Sequence, residues 1–309
     1  MTERGVREVL PALRAVEGDG FVVRRPFPVP GRELVDPFLL LDHLGPVDHA
    51  PGEALGTSEH PHRGFETVTY LLEGEIEHRD SLGNHGLLGP GDTQWMTAGR
   101  GVLHQEGPSA RLRAEGGRVH GVQLWVNLPA AEKMVPPAYQ DLTAERVRRA
   151  EPAPGAVARV IAGEAFGVTG PGRTRTPIGY VHLSLAAGAS ASTPLPPDHT
   201  VLVYPMVGAV EVGGRTLVEG ELGVLGPGDE VALTGSGGGP WDGDSVDGDS
   251  TGGDSTGGGD GDGAVAEVLL LWGRPLREPV ARMGPFVMNT RAQLVEAVED
   301  FRSGRLASG

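Results

Sequence analysis

Two stretches of the chain repeat each other, and this repeat limits the possible folds more than any other feature. Tyr70-Leu-Leu-Glu-Gly74-Glu-Ile-Glu77 matches Tyr204-Pro-Met-Val-Gly208-Ala-Val-Glu211 at an offset of 134, and Leu88-Gly-Pro-Gly-Asp92 matches Leu225-Gly-Pro-Gly-Asp229 at an offset of 137. In each copy a strand reaches a turn and more strand follows. A Gly-Pro-Gly-Asp turn then leads into an apolar run, Thr93 to Met96 in one copy and Glu230 to Leu233 in the other. Two copies of one β-unit follow from this pattern, and 309 residues are enough for two cores. With 50 Gly, 26 Pro and 5% aromatic residues, short strands and tight turns are favoured over long helices. The expectation is an all-β protein with an N-terminal domain over 1–135 and a C-terminal domain over 136–309.

Helices are expected in two places. Thr290 and Gln293 have capping-box spacing ahead of an apolar stripe of Leu294, Val295, Val298 and Phe301, and Gly304 stands where a helix stops. This helix is expected to pack on the outside of a barrel. A shorter helical stretch is expected within about 129–150, in the inter-domain linker beside Pro136 and Pro137.

The chain has no cysteine, so thiolate ligands and disulfides are excluded, and any metal must be held by imidazole and carboxylate. No signal-peptide core opens the sequence and no run of about 18 apolar residues occurs, so a cytoplasmic protein off the membrane is expected. A net charge of −15 with a single lysine, Lys133, argues against direct binding to nucleic acid. Segment 235–263 contains 13 Gly and seven Asp in 29 positions and no base; without it the charge is −8. It has too little apolar surface to offset its ordering entropy, so a disordered surface loop inserted in the second domain is expected. Spaced Asp and Gly also occur in calcium-binding repeats, but no liganding register persists here and no glutamate closes a loop.

The chemistry concentrates in the first copy. In EHPHRGFETVTYLLEG, His60 and His62 are two apart and project from one side of a strand. In TQWMTAGRGVLHQE, His104 and Glu106 have the same spacing. Two such pairs on neighbouring strands of a small barrel can surround one ion, and a six-coordinate iron or manganese would keep two adjacent positions open. Taken singly, either pair is an ordinary surface or hydrogen-bonded pair. Glu66, four residues after His62, is either a ligand in place of Glu106 or a carboxylate that orients an imidazole. His78 and His85 flank the Ser81–Asn84 turn. With His43, His49, His120, His182 and His199 they are expected to be surface or packing residues, and His78 has the best claim on a pocket role.

Around these residues the chain resembles a pirin, a member of the cupin superfamily. The resemblance rests on HPHRGFETVTYLLEGEIEHRDSLGN, PGDTQWMTAGRGVLHQE and GPFVMNTRAQLVEAVEDFRSG, in that order. It implies two cupin (jelly-roll type) β-barrels with iron in the first, held by His60, His62, His104 and Glu106, and it favours the orienting role for Glu66. Carrying the 134 offset forward sets Pro194 and Pro196 where His60 and His62 stand, and the insert is expected to interrupt the strand bearing the other pair, so no metal is expected in the second barrel.

Two functions are open on this resemblance. One is a quercetin 2,3-dioxygenase-like enzyme, Fe(II)-dependent with Mn, Ni, Cu or Zn also suited to the donors, acting on a flavonol and O2. Glu106 would be the catalytic proton acceptor. The other is a non-catalytic iron-binding protein whose redox state alters its contact with a protein partner such as a transcription factor. A monomer is expected in either case.

Overall fold

The computed structural model describes residues 1–236 and 265–307. The insert at 235–263 lies outside these residues apart from Gly235 and Ser236. The architecture is all-β, two cupin-type barrels with a short C-terminal helix. Each barrel pairs a seven-stranded sheet with a four-stranded one. In the first barrel the large sheet runs Ala138–Leu142, Thr93–Thr97, Phe65–Glu73, Gly117–Asn127, Phe38–His49, Phe21–Phe27 and Leu13–Glu17. The small sheet runs Thr57–His62, Val102–Pro108, Ile76–Asp80 and His85–Leu88. The second barrel has the same order, ending in a small sheet of Ser190–Pro194, Glu230–Gly235, Ala209–Val212 and Arg215–Val218.

The barrels exchange edge strands. Val6–Pro11 pairs with Glu221–Leu225 of the second barrel, and Ala138–Leu142 pairs with Thr93–Thr97 of the first. A cut at 135/136 separates each of these strands from the sheet it completes. The stretch over 129–150 holds no α-helix. Ala130–Glu132 forms a 3-10 helix, and Ala138–Leu142 and Arg148–Ala153 are strands that find open sheet edges. A helix not expected from sequence, Ala110–Glu115, starts where Ser109 accepts a hydrogen bond from the Leu112 amide.

Strand pairing also corrects the repeat. The Tyr70 and Tyr204 segments are equivalent, since Phe65–Glu73 and Thr200–Val207 hold the same place in their sheets. The two Gly-Pro-Gly-Asp turns are not. The first precedes Thr93–Thr97 in a large sheet, whereas the second precedes Glu230–Gly235 in a small one, the place Val102–Pro108 holds in the first barrel.

The two large sheets face each other. Phe27, Phe38, Val68, Tyr70, Trp95 and Leu124 of one and Tyr180, Leu202, Tyr204, Leu222, Leu269 and Leu271 of the other form a single buried cluster. Each such side chain contributes about 1.5–3 kcal/mol by leaving water. Both faces of Phe65–Glu73 are covered, which explains why FETVTYLL reads as a nearly unbroken run of apolar residues and threonine. The barrel interiors differ. The second is filled by Val181, Leu183, Val203, Val210, Leu217, Val231, Leu233, Val268 and Leu270. The first instead buries Thr67, Thr69, Gln94, His62, His78 and His104. Buried polar groups persist where something pairs with them, so the first barrel is where a site belongs.

The C-terminal helix, Arg291–Arg302, starts with the expected capping box between Thr290 and Gln293. It packs with Phe286 and Met288 against Leu103 and Leu306 through Leu294 and Ala297, while Val295 and Phe301 stay largely exposed. Among the described residues no helix is long and apolar enough to cross a membrane.

Candidate metal centre

The strand pairing brings the first barrel's histidines together. In the antiparallel pair of Thr57–His62 with Val102–Pro108, His104 lies opposite His60 and Val102 opposite His62. One ligating atom from each of His60, His62 and His104 lies within 4.8 Å of the other two. His62 packs edge-on against the paired rings of Phe65 and Trp125, with ring centroids 5.0 and 5.1 Å away, and Arg282 lies over Trp125 at 4.9 Å. Packing thus sets the ring's direction.

The protonation of the rings suits a cation. His60 Nδ1 is 2.9 Å from the Ser58 carbonyl, which can only accept, so Nδ1 carries the proton and Nε2 a lone pair. That Nε2 is 3.1 Å from Nε2 of His62. Two nitrogens about 2.0–2.1 Å from one ion and at right angles to each other would stand ~3 Å apart. Both ring nitrogens of His104 are buried without a hydrogen-bond partner. Such atoms cost roughly 1–3 kcal/mol each unless something binds them. Burial, reinforced by the neighbouring imidazoles, holds His62 and His104 well below the usual imidazole pKa, so their lone pairs are free at neutral pH. These three residues fit a divalent cation.

Glu106 is not among the converging atoms. It shares a strand with His104, but Gln123 Nε2 donates to its Oε2 at 2.9 Å and Thr69 Oγ1 to its Oε1 at 3.3 Å. There it lines a cavity of ≈ 910 Å³ walled by Phe21, Val23, Val47, Leu55 and Val119, with Arg24, His43 and His120 among its polar groups. Thr69 and Gln123 also line the cavity and none of the three histidines does, so of His104 and Glu106, two apart on one strand, only Glu106 reaches the chamber.

Glu66 does not orient an imidazole. It sits on the next strand, past Arg63 and Gly64, with the parity of Val68 and Tyr70, so it faces the other barrel. Its Oε1 accepts from Thr97 at 2.7 Å, and burial pushes its pKa up to about 7 against the pull of Thr97 and Trp95. Counting parity across the turn as if it were one strand produced the wrong expectation. His78 is buried beside the triad, its ring 5.3 Å from that of His104. His43 and His182 are packing residues that bond Tyr204 and Tyr70 across the barrel seam at 3.0 and 2.6 Å.

In the second barrel the inward positions of the equivalent strands are held by Ala191, Thr193, Val231 and Leu233, with no imidazole or carboxylate among them. Pro194 and Pro196, reached by the 134 offset, lie on the outward face instead. The strand Glu230–Gly235 is intact, with the insert following it rather than breaking it.

Residues 20–126 match the family model Pirin, and 252–307 match the Pirin C-terminal cupin domain. Pirin of Rattus norvegicus is 40% identical over 294 residues, spanning 94% of this chain and 89% of that protein. The chain belongs to the pirin family. Pirin-1 of Arabidopsis thaliana is 36% identical over 304 residues, covering 97% of this chain and 93% of its own length. Among solved structures, quercetin 2,3-dioxygenase from Acinetobacter baumannii superposes with a TM-score of 0.85 at 35% identity, covering 98% of both chains. Within this pirin framework, sequence reasoning missed Thr69, Gln123 and Trp125. The signal was the alternation itself, since polar Thr67, Thr69 and Gln123 recur at inward positions of otherwise apolar strands.

Proposed function

We propose that this chain is a metal-dependent dioxygenase of the pirin type, cleaving a flavonol such as quercetin across its 2,3 bond with dioxygen to give a depside and carbon monoxide. The observation that carries it is a cluster of three imidazoles, with unpartnered buried nitrogens on His62 and His104, on the same strand pair as Glu106, which lines a large, mostly apolar chamber. Likeness to the A. baumannii quercetin 2,3-dioxygenase supports it. His60, His62 and His104 would hold the cation, Fe(II) first, with Mn, Ni, Cu or Zn compatible with the same donors. Glu106 would be the fourth donor, giving up its Thr69 hydrogen bond for the ion while Gln123 keeps the other carboxylate oxygen. The cation would supply Lewis acidity and redox capacity for the flavonol oxygen and dioxygen.

The protein's own part is positional and acid–base. Phe21, Val23 and Val119 give the planar rings an apolar wall and exclude water from them. Glu106 accepts the flavonol hydroxyl proton, held for that purpose by Gln123, whose Oε1 accepts from Trp125 Nε1 at 3.3 Å. Both atoms of dioxygen end in the products, so no external reductant is required.

The rival, an iron-binding regulator acting by protein contact, uses the same histidines but has no use for the chamber. Aerobic incubation of iron-loaded protein with quercetin decides between them. Flavonol loss, oxygen uptake and carbon monoxide release in equal amounts support the enzyme. A fully loaded protein that consumes neither substrate sinks it, and partner capture that differs between ferrous and ferric protein would then favour the rival.

A further inference from the structure

The strand carrying His60 and His62 is an edge strand: among the described residues Thr57–His62 has a sheet neighbour on one side only, Val102–Pro108. Its end is tied down by the far end of the chain. Arg63, next to His62, makes a parallel bridge to Phe286: its amide donates to the Pro285 carbonyl at 3.4 Å, and its carbonyl accepts from Val287 at 3.0 Å. The Arg63 guanidinium is 4% exposed and donates to Asp300 of the C-terminal helix at 2.9 Å and to the Arg100 carbonyl. Lys133, 1% exposed, donates to the Gly64 carbonyl at 2.7 Å, Asn127 Oδ1 at 2.7 Å and the Val287 carbonyl at 3.0 Å. Among the described residues no carboxylate bonds this ammonium. Burial lowers its pKa to about 8, and its charge is spread over three oxygens that belong to the strand turn, the large sheet and the C-terminal hairpin.

We propose that the C-terminal hairpin and helix position the metal centre, with Asp300, Arg63 and Lys133 clamping the end of the His60–His62 strand where its imidazoles meet His104. An edge strand with one neighbour can pivot about that neighbour, and the clamp supplies its second side. The inference rests on the reading that the three histidines hold a cation. Ligand direction is set by the groups behind the ligands, so losing the clamp should weaken the ion rather than only the fold.

Cobalt(II), titrated into metal-free protein against a chromophoric chelator, separates the two claims. Wild type is expected to bind one equivalent and His62→Ala none. If wild type binds none, the metal reading itself fails. Where wild type binds, Asp300→Asn and Lys133→Met are each expected to weaken cobalt about tenfold. Asp300 is partly exposed, so its variant is expected to fold even if Lys133→Met does not. Val268→Ala, in the core of the second barrel, serves as the stability control and should lower the unfolding midpoint while leaving cobalt affinity unchanged. Wild-type affinity in Asp300→Asn, or an equal loss in Val268→Ala, overturns the proposal.

Discussion

Gly64 is the position where a single methyl group tests the link between the chain's end and its site. Its φ is +91°, and a Cβ there would meet the Val287 carbonyl oxygen at 2.0 Å and Met288 Sδ at 2.9 Å. The left-handed backbone alone costs a residue with a side chain about 1–2 kcal/mol. Val287 must also retreat by more than an ångström, which breaks its hydrogen bond from the Lys133 ammonium, worth roughly 1.5–3 kcal/mol. Gly64→Ala is therefore expected to cost about 2.5–5 kcal/mol. Gly83, at φ +85° with nothing within 4 Å of its added Cβ, carries the backbone term without the collision. Gly83→Ala should cost about 1–2 kcal/mol. Urea unfolding of both metal-free variants measures the difference, expected at about 1.5–3 kcal/mol once the shared backbone cost cancels. If Gly64→Ala loses no more stability than Gly83→Ala, the hairpin does not press on this turn and the clamp has no mechanical basis.

Three further outcomes follow from the site. Glu106→Gln keeps the shape but not the proton acceptor, so flavonol turnover should fall about 10²–10⁴-fold; undiminished turnover with full metal would move the base elsewhere. Gln123→Leu leaves the Glu106 carboxylate without its 2.9 Å donor, and turnover should drop roughly tenfold with little change in the unfolding midpoint; an unchanged rate would deny Gln123 an orienting role. His104 is depressed by burial, so the unfolded chain takes up a proton as pH falls below about 6.5 while the folded chain does not. Its stability contribution is thus full above that pH and lost on the acid side. The metal-free His104→Gln variant should lose about 1.4 kcal/mol less stability than wild type between pH 7.5 and 5.5, and parallel pH curves would contradict the assignment.

Much of the architecture could be read from residues because the signals were local. Alternation places His60 with His62 and His104 with Glu106, and the Thr290 and Gln293 capping box marks the C-terminal helix. What failed depended on pairing between distant strands. Glu66 was assigned to the site because parity was counted through the turn at Arg63 and Gly64, and the second Gly-Pro-Gly-Asp turn was matched to a turn one strand away. The stretch after Ala130 looked helical in isolation, yet it completes a sheet whose open edge no local window reveals. The exchange of Val6–Pro11 into the second barrel is invisible for the same reason. Nor does the sequence show that Glu106 bonds Gln123 rather than joining the three imidazoles.

The most direct test of the account is elemental analysis of protein purified without added metal and then reconstituted with iron(II), wild type beside His62→Ala. One equivalent of a transition metal per chain in wild type, and almost none in a folded variant, is the expected result. A wild type that retains no metal after reconstitution, or a variant that keeps a full equivalent with unchanged affinity, contradicts it.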